Sequence, residues 1–300
     1  MNICVIGGGD GPEREVSLRS SAAVRDGLTN LGHHVTFLDY HEDENSVRDA
    51  STGCNLVFPI LHGRGGEDGH VQAVLDSIGI PYLGSRVQAS KLCFNKVDLK
   101  ELLVANGILT PRSEVVTSAT FSQSALIRHP FVLKPVSDGS SVGTMIAHQV
   151  PYDSAKAAEL LEMHGEMLLE EMIVGHEITV SVLGNKALPV IEIIPPAGQD
   201  FDYVNKYNGA TSELCPPRNV SQKMQAQASD LALRIHALAG VRHLSRSDFI
   251  IDEHDRIYAL EINTLPGMTT QSLFPKSAAT AGITWTQLVE KLVELAAATS

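Results

Sequence analysis

Four side chains in the last quarter of the chain combine metal-ligand and anion-stabilising chemistry. Arg246 and Asp248 precede the apolar run Phe249-Ile-Ile251, and Glu261 and Asn263 end the run that begins at Arg256. The charged stretch Asp252-Glu-His-Asp255 between them reads as a hairpin turn with solvated side chains. Residues two apart on a strand share a face, so Glu261 and Asn263 project together, as do Arg246 and Asp248. Asp248 is expected to reach the same spot from across the hairpin. Two carboxylates and an amide oxygen are hard ligands suited to magnesium, which usually keeps waters and is completed by substrate phosphates. Arg246 on that side could stabilise developing negative charge.

Glycine-rich loops add a second kind of chemistry. A strand at Ile3 to Ile6 runs into Gly7, Gly8, Gly9 and Gly11, then into a helix from Glu13 to Leu31. A helix start of this kind can bind an anion through its amides. Asp39 at the end of the next strand suggests a dinucleotide site, but counting from Gly7 puts Pro12 where the third glycine belongs. No Gly-Lys dipeptide occurs, which excludes a nucleoside-triphosphate P-loop. Glu15 is either a ligand or a helix-dipole partner, and Ser17 either holds it or is merely polar. The loop Leu61 to Gly69 contains four glycines between a strand and a helix, at the sheet end where open α/β folds bind ligands. His62 there either hydrogen-bonds a small substrate as a neutral ring or is a plain turn histidine.

Lys134 closes another apolar strand. The loop from it to Gly143 offers amides and the hydroxyls of Ser137, Ser140 and Ser141 to phosphates, with Lys96 as a second cation. Glu170 and Glu171 end one strand and Glu177 starts the next, positions from which a nucleotide could be held. His176-Glu177 has no second histidine at position 180, so it is not a zinc peptidase motif.

These residues need a scaffold of two or three modules, which 300 residues can supply. Strand and helix alternate over residues 1–92, giving a small parallel sheet covered by helices. Strands at Phe131 to Leu133, Gly143 to Ala147 and Met167 to Leu169, with a helix from Ser154 to Met163, form a unit over 93–175. The third unit, 176–300, carries the hairpin, two further strands and helices near Gln222 to Ala239 and Thr284 to Ala298. A helix over Lys96 to Asn106 and a short strand at Tyr82-Leu83 complete the reading. The polar loop 195–217 exceeds twenty residues and has proline pairs at both ends, which favours a lid over a slack linker.

Net charge is −12, and the resulting pI near 5.4 argues against nucleic acid as a partner. No basic leader precedes an apolar core, and no apolar stretch has membrane-spanning length, so a cytoplasmic protein without membrane partners is expected. Cys4, Cys54, Cys93 and Cys215 are scattered and read as reduced thiols.

The ordered set Gly7-Gly-Gly through Glu13-Arg-Glu-Val-Ser17, His62 to Gly69, Lys134-Pro through Gly143, Glu170-Glu171, Lys206-Tyr207, Arg246-Ser-Asp248-Phe and Glu261 to Thr269 resembles the ATP-grasp superfamily. Within it the set is similar to the D-alanine–D-alanine ligases over almost the whole chain. The resemblance implies an α/β fold, a Rossmann-like parallel sheet followed by an ATP-grasp fold that is α+β in its ATP-binding units. It implies ATP-dependent ligation of two D-alanines for peptidoglycan precursor synthesis. ATP would lie between the second and third units, with Lys96, Lys134 and Ser140 at its phosphates. The backbone near Glu170 and Glu171 would read adenine and Glu177 would hold the ribose, with Lys206 also at the nucleotide. Asp248, Glu261 and Asn263 would hold two magnesium or manganese ions. Glu15 would anchor the first D-alanine's ammonium near His62, and Ser141 would help hold Tyr207 and Glu15. Arg246 and the Gly267 amide would form the oxyanion site, and Ser272 and Leu273 would receive the second D-alanine. A homodimer is also implied.

Two positions depart from the family pattern. Asp10-Gly11-Pro12 replaces a small hydroxylated residue before the Glu-Arg-Glu, and Ser247 stands where an apolar residue is commoner. An ester-forming relative using D-lactate is the nearer alternative, and Lys206-Tyr207 matches the dipeptide-forming type. A non-catalytic nucleotide-binding protein would be expected to lack some of Lys134, Asp248, Glu261 and Asn263, yet all are present.

Overall fold

A computed structural model describes residues 1–139, 142–196, 198 and 210–298. The first unit is built on Asn2–Gly8 (β1), flanked in parallel by His34–Tyr40 (β2) and Leu56–Pro59 (β3). β1 is buried on both faces, which is why it reads as the unbroken run Ile-Cys-Val-Ile. The expected strand at Tyr82-Leu83 reduces to one parallel bridge between Val57 and Tyr82. The helix Arg14–Asn30 (α1) turns Val24 and Leu28 onto this sheet. Glu44–Ser51 (α2) and His70–Ile78 (α3) follow, the second ended by Gly79 in the left-handed conformation. Val87–Phe94 (α4) leads into Lys96–Ala105 (α5), whose first turn is capped by the Asn95 side chain.

The second unit is an antiparallel sheet of Ser113–Val116 (β4), Phe131–Pro135 (β5), Met145–Ala147 (β6) and Met167–Glu171 (β7), in the order β4-β7-β5-β6. The helix Ser154–His164 (α6), capped by Asp153, buries Leu160 and Leu161 against Phe131, Leu133 and Met167. Phe121, Phe131 and Tyr152 pack edge to face, with centroids 5.0–5.9 Å apart.

The third sheet contains Gly175–Leu183 (β8), Lys186–Ala187 (β9), Ile191–Ile194 (β10), Ser212–Leu214 (β11), Leu244–Asp252 (β12) and Ile257–Asn263 (β13). The strand order is β11-β10-β8-β12-β13, with β9 paired to β8. One face is covered by α5 and by Gln222–Leu238 (α7), which bury Leu99, Leu103, Ala228 and Ile235 against Val180 and Phe249. α5, expected with the second unit, therefore shares its core with the third sheet. With one face filled by these helices, side chains on the other are left to build the site.

Leu273–Thr280 (α8) and Trp285–Ala297 (α9) close the chain. Leu288, Val289 and Leu292 of α9 join Ile3, Val24, Leu28 and Leu56 in one core, so the end of the chain packs on its beginning. A second tie crosses at His243, whose Nδ1 accepts the Gly84 N–H at 3.0 Å. Burial holds the His243 pKa down to about 4, which keeps the ring neutral and able to accept. Among the described residues no helix is long and apolar enough to cross a membrane.

Candidate active site

In the β12–β13 hairpin Arg246 lies opposite Asn263 and Asp248 opposite Glu261, so the four side chains share one face as expected. On its other edge β12 meets β8, which sets Ser181 opposite Arg246 and Thr179 opposite Asp248. A bulge follows Asp248 and ends this pairing frame. Arg246 donates to both oxygens of Asp248, at 2.9 Å from Nε and 2.8 Å from a terminal nitrogen. Thr179 Oγ1 donates to the same carboxylate at 2.6 Å, and Asn263 Nδ2 stands 3.4 Å away. Burial opposes the charge on Arg246, but Asp248 and Glu261 outweigh it and raise the guanidinium pKa. The donor set fits a hard cation, because Asp248, Glu261 and Asn263 supply only oxygen ligands on one face. Among the described residues no group of three or more His, Cys, Asp or Glu is arranged for a metal.

The hairpin turn corrects one expectation. Asp252 is buried rather than solvated: it accepts the amides of His254 and Arg256 at 2.9 Å and the Arg256 Nε at 2.7 Å. Its carboxylate caps the turn from inside.

The lysines approach the same region from α5 and β5. Lys96 is buried and donates to the Asp138 carbonyl at 2.6 Å, tying α5 to the loop after β5. Burial lowers its pKa, while Glu261 nearby favours the charge. Lys134 Nζ is 2.7 Å from Glu170, whose other oxygen takes Lys100 at 2.7 Å. Burial would push the Glu170 pKa up, but the two lysines outweigh it and hold it low. Glu170 thus anchors Lys134. The Glu171 carboxylate is taken by Arg112 at 2.7 Å. The Glu171 and Met172 amides donate to the Arg112 and Pro130 carbonyls. Glu177 sits opposite Ile250 on β8, two residues before Thr179 and on the site face.

A cavity of about 780 Å³ opens between this face and the first unit. Glu13, His62, Glu67 and Gly139 line it on one side, and Gly267, Ser272, Leu273 and Lys276 on another. Glu15 is exposed and does not line it; Glu13 occupies the place expected for Glu15. The Glu13 carboxylate is packed between two glycines. A Cβ at Gly63 would come within 2.7 Å of Oε2, and one at Gly139 within 2.5 Å. Gly63 also has φ +69°, where other residues are strained. Ser17 does not hold either glutamate, since its hydroxyl donates to the Ile60 carbonyl and accepts the Gly8 amide.

His62 lines the cavity, but its ring nitrogens face protein partners: Leu265 carbonyl oxygen at 3.1 Å and Ser20 Oγ at 3.4 Å. Ser272 precedes α8 and contacts Thr269 through the backbone amide at 3.1 Å and Oγ1 at 2.8 Å. Lys276, one turn into α8, pairs with Glu213 at 3.1 Å. Ser140, Ser141, Lys206 and Tyr207 lie outside the described residues. Of the expected lid, 195–217, the far end forms β11 and pairs with β10. Burial raises the pKa of Cys4 to about 11 and of Cys93 to about 12, so neither thiol is poised as a nucleophile.

Residues 103–294 match the family model for the D-ala D-ala ligase C-terminus, and residues 39–85 the model for its N-terminus. A D-alanine–D-alanine ligase of Gloeobacter violaceus is 40% identical over 300 residues, covering 98% of this chain and 99% of the relative. The chain belongs to the D-alanine–D-alanine ligase family. Crystal structures agree with the assignment. The D-alanine–D-alanine ligase from Bacillus anthracis superposes with a TM-score of 0.86 at 30% identity, covering 100% of this chain and 98% of that one. The VanG D-Ala:D-Ser ligase from Enterococcus faecalis gives 0.82 at 27% identity, with 98% of each chain covered. The ligase has the α/β ATP-grasp architecture of these structures.

Glu13, Glu67, Ser20 and Lys276 were not singled out from the sequence of this ligase. For Glu13 a signal was available. Ser17, Ser20, Val24 and Leu28 are the buried face of α1, and four residues before Ser17 on that face stands Glu13, not Glu15.

Proposed function

We propose that this cleft joins two D-alanines to D-alanyl-D-alanine through a D-alanyl phosphate, releasing ADP and phosphate. A carboxylate does not accept an amine in water, because its oxygen is a poor leaving group. A carboxylate oxygen of the first D-alanine attacks the γ-phosphorus of ATP, and the bond to ADP breaks. The amine of the second D-alanine then attacks the acyl carbon. Phosphate leaves with that carboxylate oxygen, and the nitrogen gives up its surplus proton. The observation that carries this reading is the single face of Arg246, Asp248, Glu261 and Asn263, from which Arg246, Glu261 and Asn263 line the cavity together with Glu13 and Ser272.

Glu13 takes the role expected of Glu15 and holds the first ammonium. Arg246 and the Gly267 amide stabilise the tetrahedral oxyanion. Such a donor is worth roughly 3 kcal/mol when removed. Ser272 Oγ and the Leu273 amide, at the start of α8, receive the second carboxylate, where the helix end favours an anion. Lys96 and Lys134 face the phosphates and Glu177 the ribose. Asp248, Glu261 and Asn263 would hold the two magnesium or manganese ions, which when bound neutralise charge on the transferring phosphoryl group. Asp248 would exchange a contact with Arg246 for this ligation. The family resemblance supports Ser140, Ser141, Lys206 and Tyr207, outside the described residues, as further contacts for the phosphates and as a shield of the acylphosphate from water.

With D-alanine labelled by oxygen-18 in its carboxylate, one labelled oxygen is expected in each phosphate released. Unlabelled phosphate would refute the acylphosphate route. D-Serine and D-lactate in the same assay separate other acceptors, a comparison prompted by the likeness to a D-Ala:D-Ser ligase. The family resemblance also supports a homodimer formed through the first unit. Sedimentation equilibrium at micromolar protein giving the monomer mass of 32.3 kDa would contradict it.

A further inference from the structure

We infer that Ser20 is a positioning residue for the oxyanion donor, acting through a hydrogen-bond chain that runs from α1 into the Leu265–Met268 segment. The inference rests on the ligase reading above. Ser20 is fully buried in α1. Its Oγ accepts the Met268 N–H at 3.2 Å and stands 3.4 Å from His62 Nε2. The other ring nitrogen of His62, Nδ1, lies 3.1 Å from the Leu265 carbonyl oxygen.

The chemistry of the partners fixes the direction of each bond. A carbonyl only accepts, so the proton of the ring sits on Nδ1. Burial lowers the His62 pKa and favours the neutral ring, which leaves Nε2 as an acceptor. The Ser20 hydroxyl therefore donates to Nε2 while its oxygen accepts from Met268. An alanine at this position could do neither.

Glu67 reinforces the same segment. Its Oε2 accepts the Gly63 amide at 2.8 Å, and its Oε1 takes the Leu265 amide at a longer 3.4 Å. Leu265 is thus held at both its N–H and its carbonyl, and Met268 at its N–H, all by groups of the first unit. Only Pro266 and Gly267 lie between. The proline ring fixes one backbone angle of the two residues. Held at both ends, the segment has little freedom left in which to turn the Gly267 N–H. The aim of the donor in the third unit is set by a serine of the first. The chain also gives both ring nitrogens of His62 a protein partner.

Ser20→Ala tests this, with Ser17→Ala as control. Ser17 is an equally buried hydroxyl of α1 that bonds to Gly8 and Ile60 and not to the segment. For Ser20→Ala the turnover number should fall about tenfold, a part of the roughly 10²–10³-fold lost when an oxyanion donor is removed outright. Affinity for a tetrahedral phosphinate analogue of the dipeptide intermediate should fall to a similar degree, with the affinity for ADP unchanged. More ADP than dipeptide should form, because acylphosphate that waits longer is lost to water. Ser17→Ala should keep the ratio of ADP to dipeptide at the wild-type value. An unchanged ratio and unchanged phosphinate affinity in Ser20→Ala would overturn the inference. So would an equal loss of ADP and phosphinate affinity, which marks a general structural defect. If the wild-type protein itself makes no dipeptide, the ligase reading fails instead, and the two failures are told apart by that control.

Discussion

Glu261→Gln should leave a folded protein that turns over at a small fraction of the wild-type rate. The substitution keeps the shape of the side chain and removes one charge. Glu261 stands opposite Asp248 on the face that also carries Asn263, so it is the ligand best placed to serve two cations. Loss of an outer-shell partner of a metal typically costs roughly 10–100-fold, and a direct ligand should cost more. Lys96 would also lose the carboxylate that most favours its charge. A magnesium titration of the rate, with circular dichroism to confirm the fold, measures the effect. Near-normal turnover at ordinary magnesium would remove Glu261 from the ligand set.

The second large effect separates two glutamates two residues apart. Glu13→Gln should lower kcat/KM for D-alanine by roughly 10²–10⁴-fold, because an ammonium left in a closed site without its carboxylate costs about 3–5 kcal/mol. Glu15→Gln, on the exposed side of α1, should stay within about twofold of wild type, as surface substitutions usually do. Steady-state kinetics on the two variants decides between them. A severe defect in Glu15→Gln with a mild one in Glu13→Gln would return the role to Glu15.

The contrast between these residues shows what the sequence could convey. The hairpin itself is legible from alternation in its strands and the charged turn between them, but the opposition of Arg246 with Asn263 and Asp248 with Glu261 depends on the bulge after Asp248, which no local pattern announces. The choice between Glu13 and Glu15 depends on helix phase, which the serines of α1 carry only weakly because serine does not read as a buried residue. α2 buries only Val47 and Ser51, and β4 buries only Val116, so neither has an apolar pattern to find. Asp252 has the composition of a solvated turn and becomes a buried cap only when the amides of His254 and Arg256 turn inward. Glu170 and Glu171 end a strand, as the sequence suggests. Their carboxylates are spent on lysines and Arg112, partners distant in sequence that no local pattern reveals. His62 was open between two roles for the same reason, since its partner Leu265 is 203 residues away.

The most direct measurement is the stoichiometry of ADP release and dipeptide formation with each enantiomer of alanine. The purified protein is supplied with ATP and magnesium, ADP is followed by a coupled assay, and the dipeptide is identified by mass and chirality. One ADP per D-alanyl-D-alanine, with L-alanine giving neither product, is the result expected of a pocket that holds ammonium, carboxylate and side chain in fixed relation. Equal turnover with L-alanine, or ADP release from D-alanine without dipeptide, would contradict it.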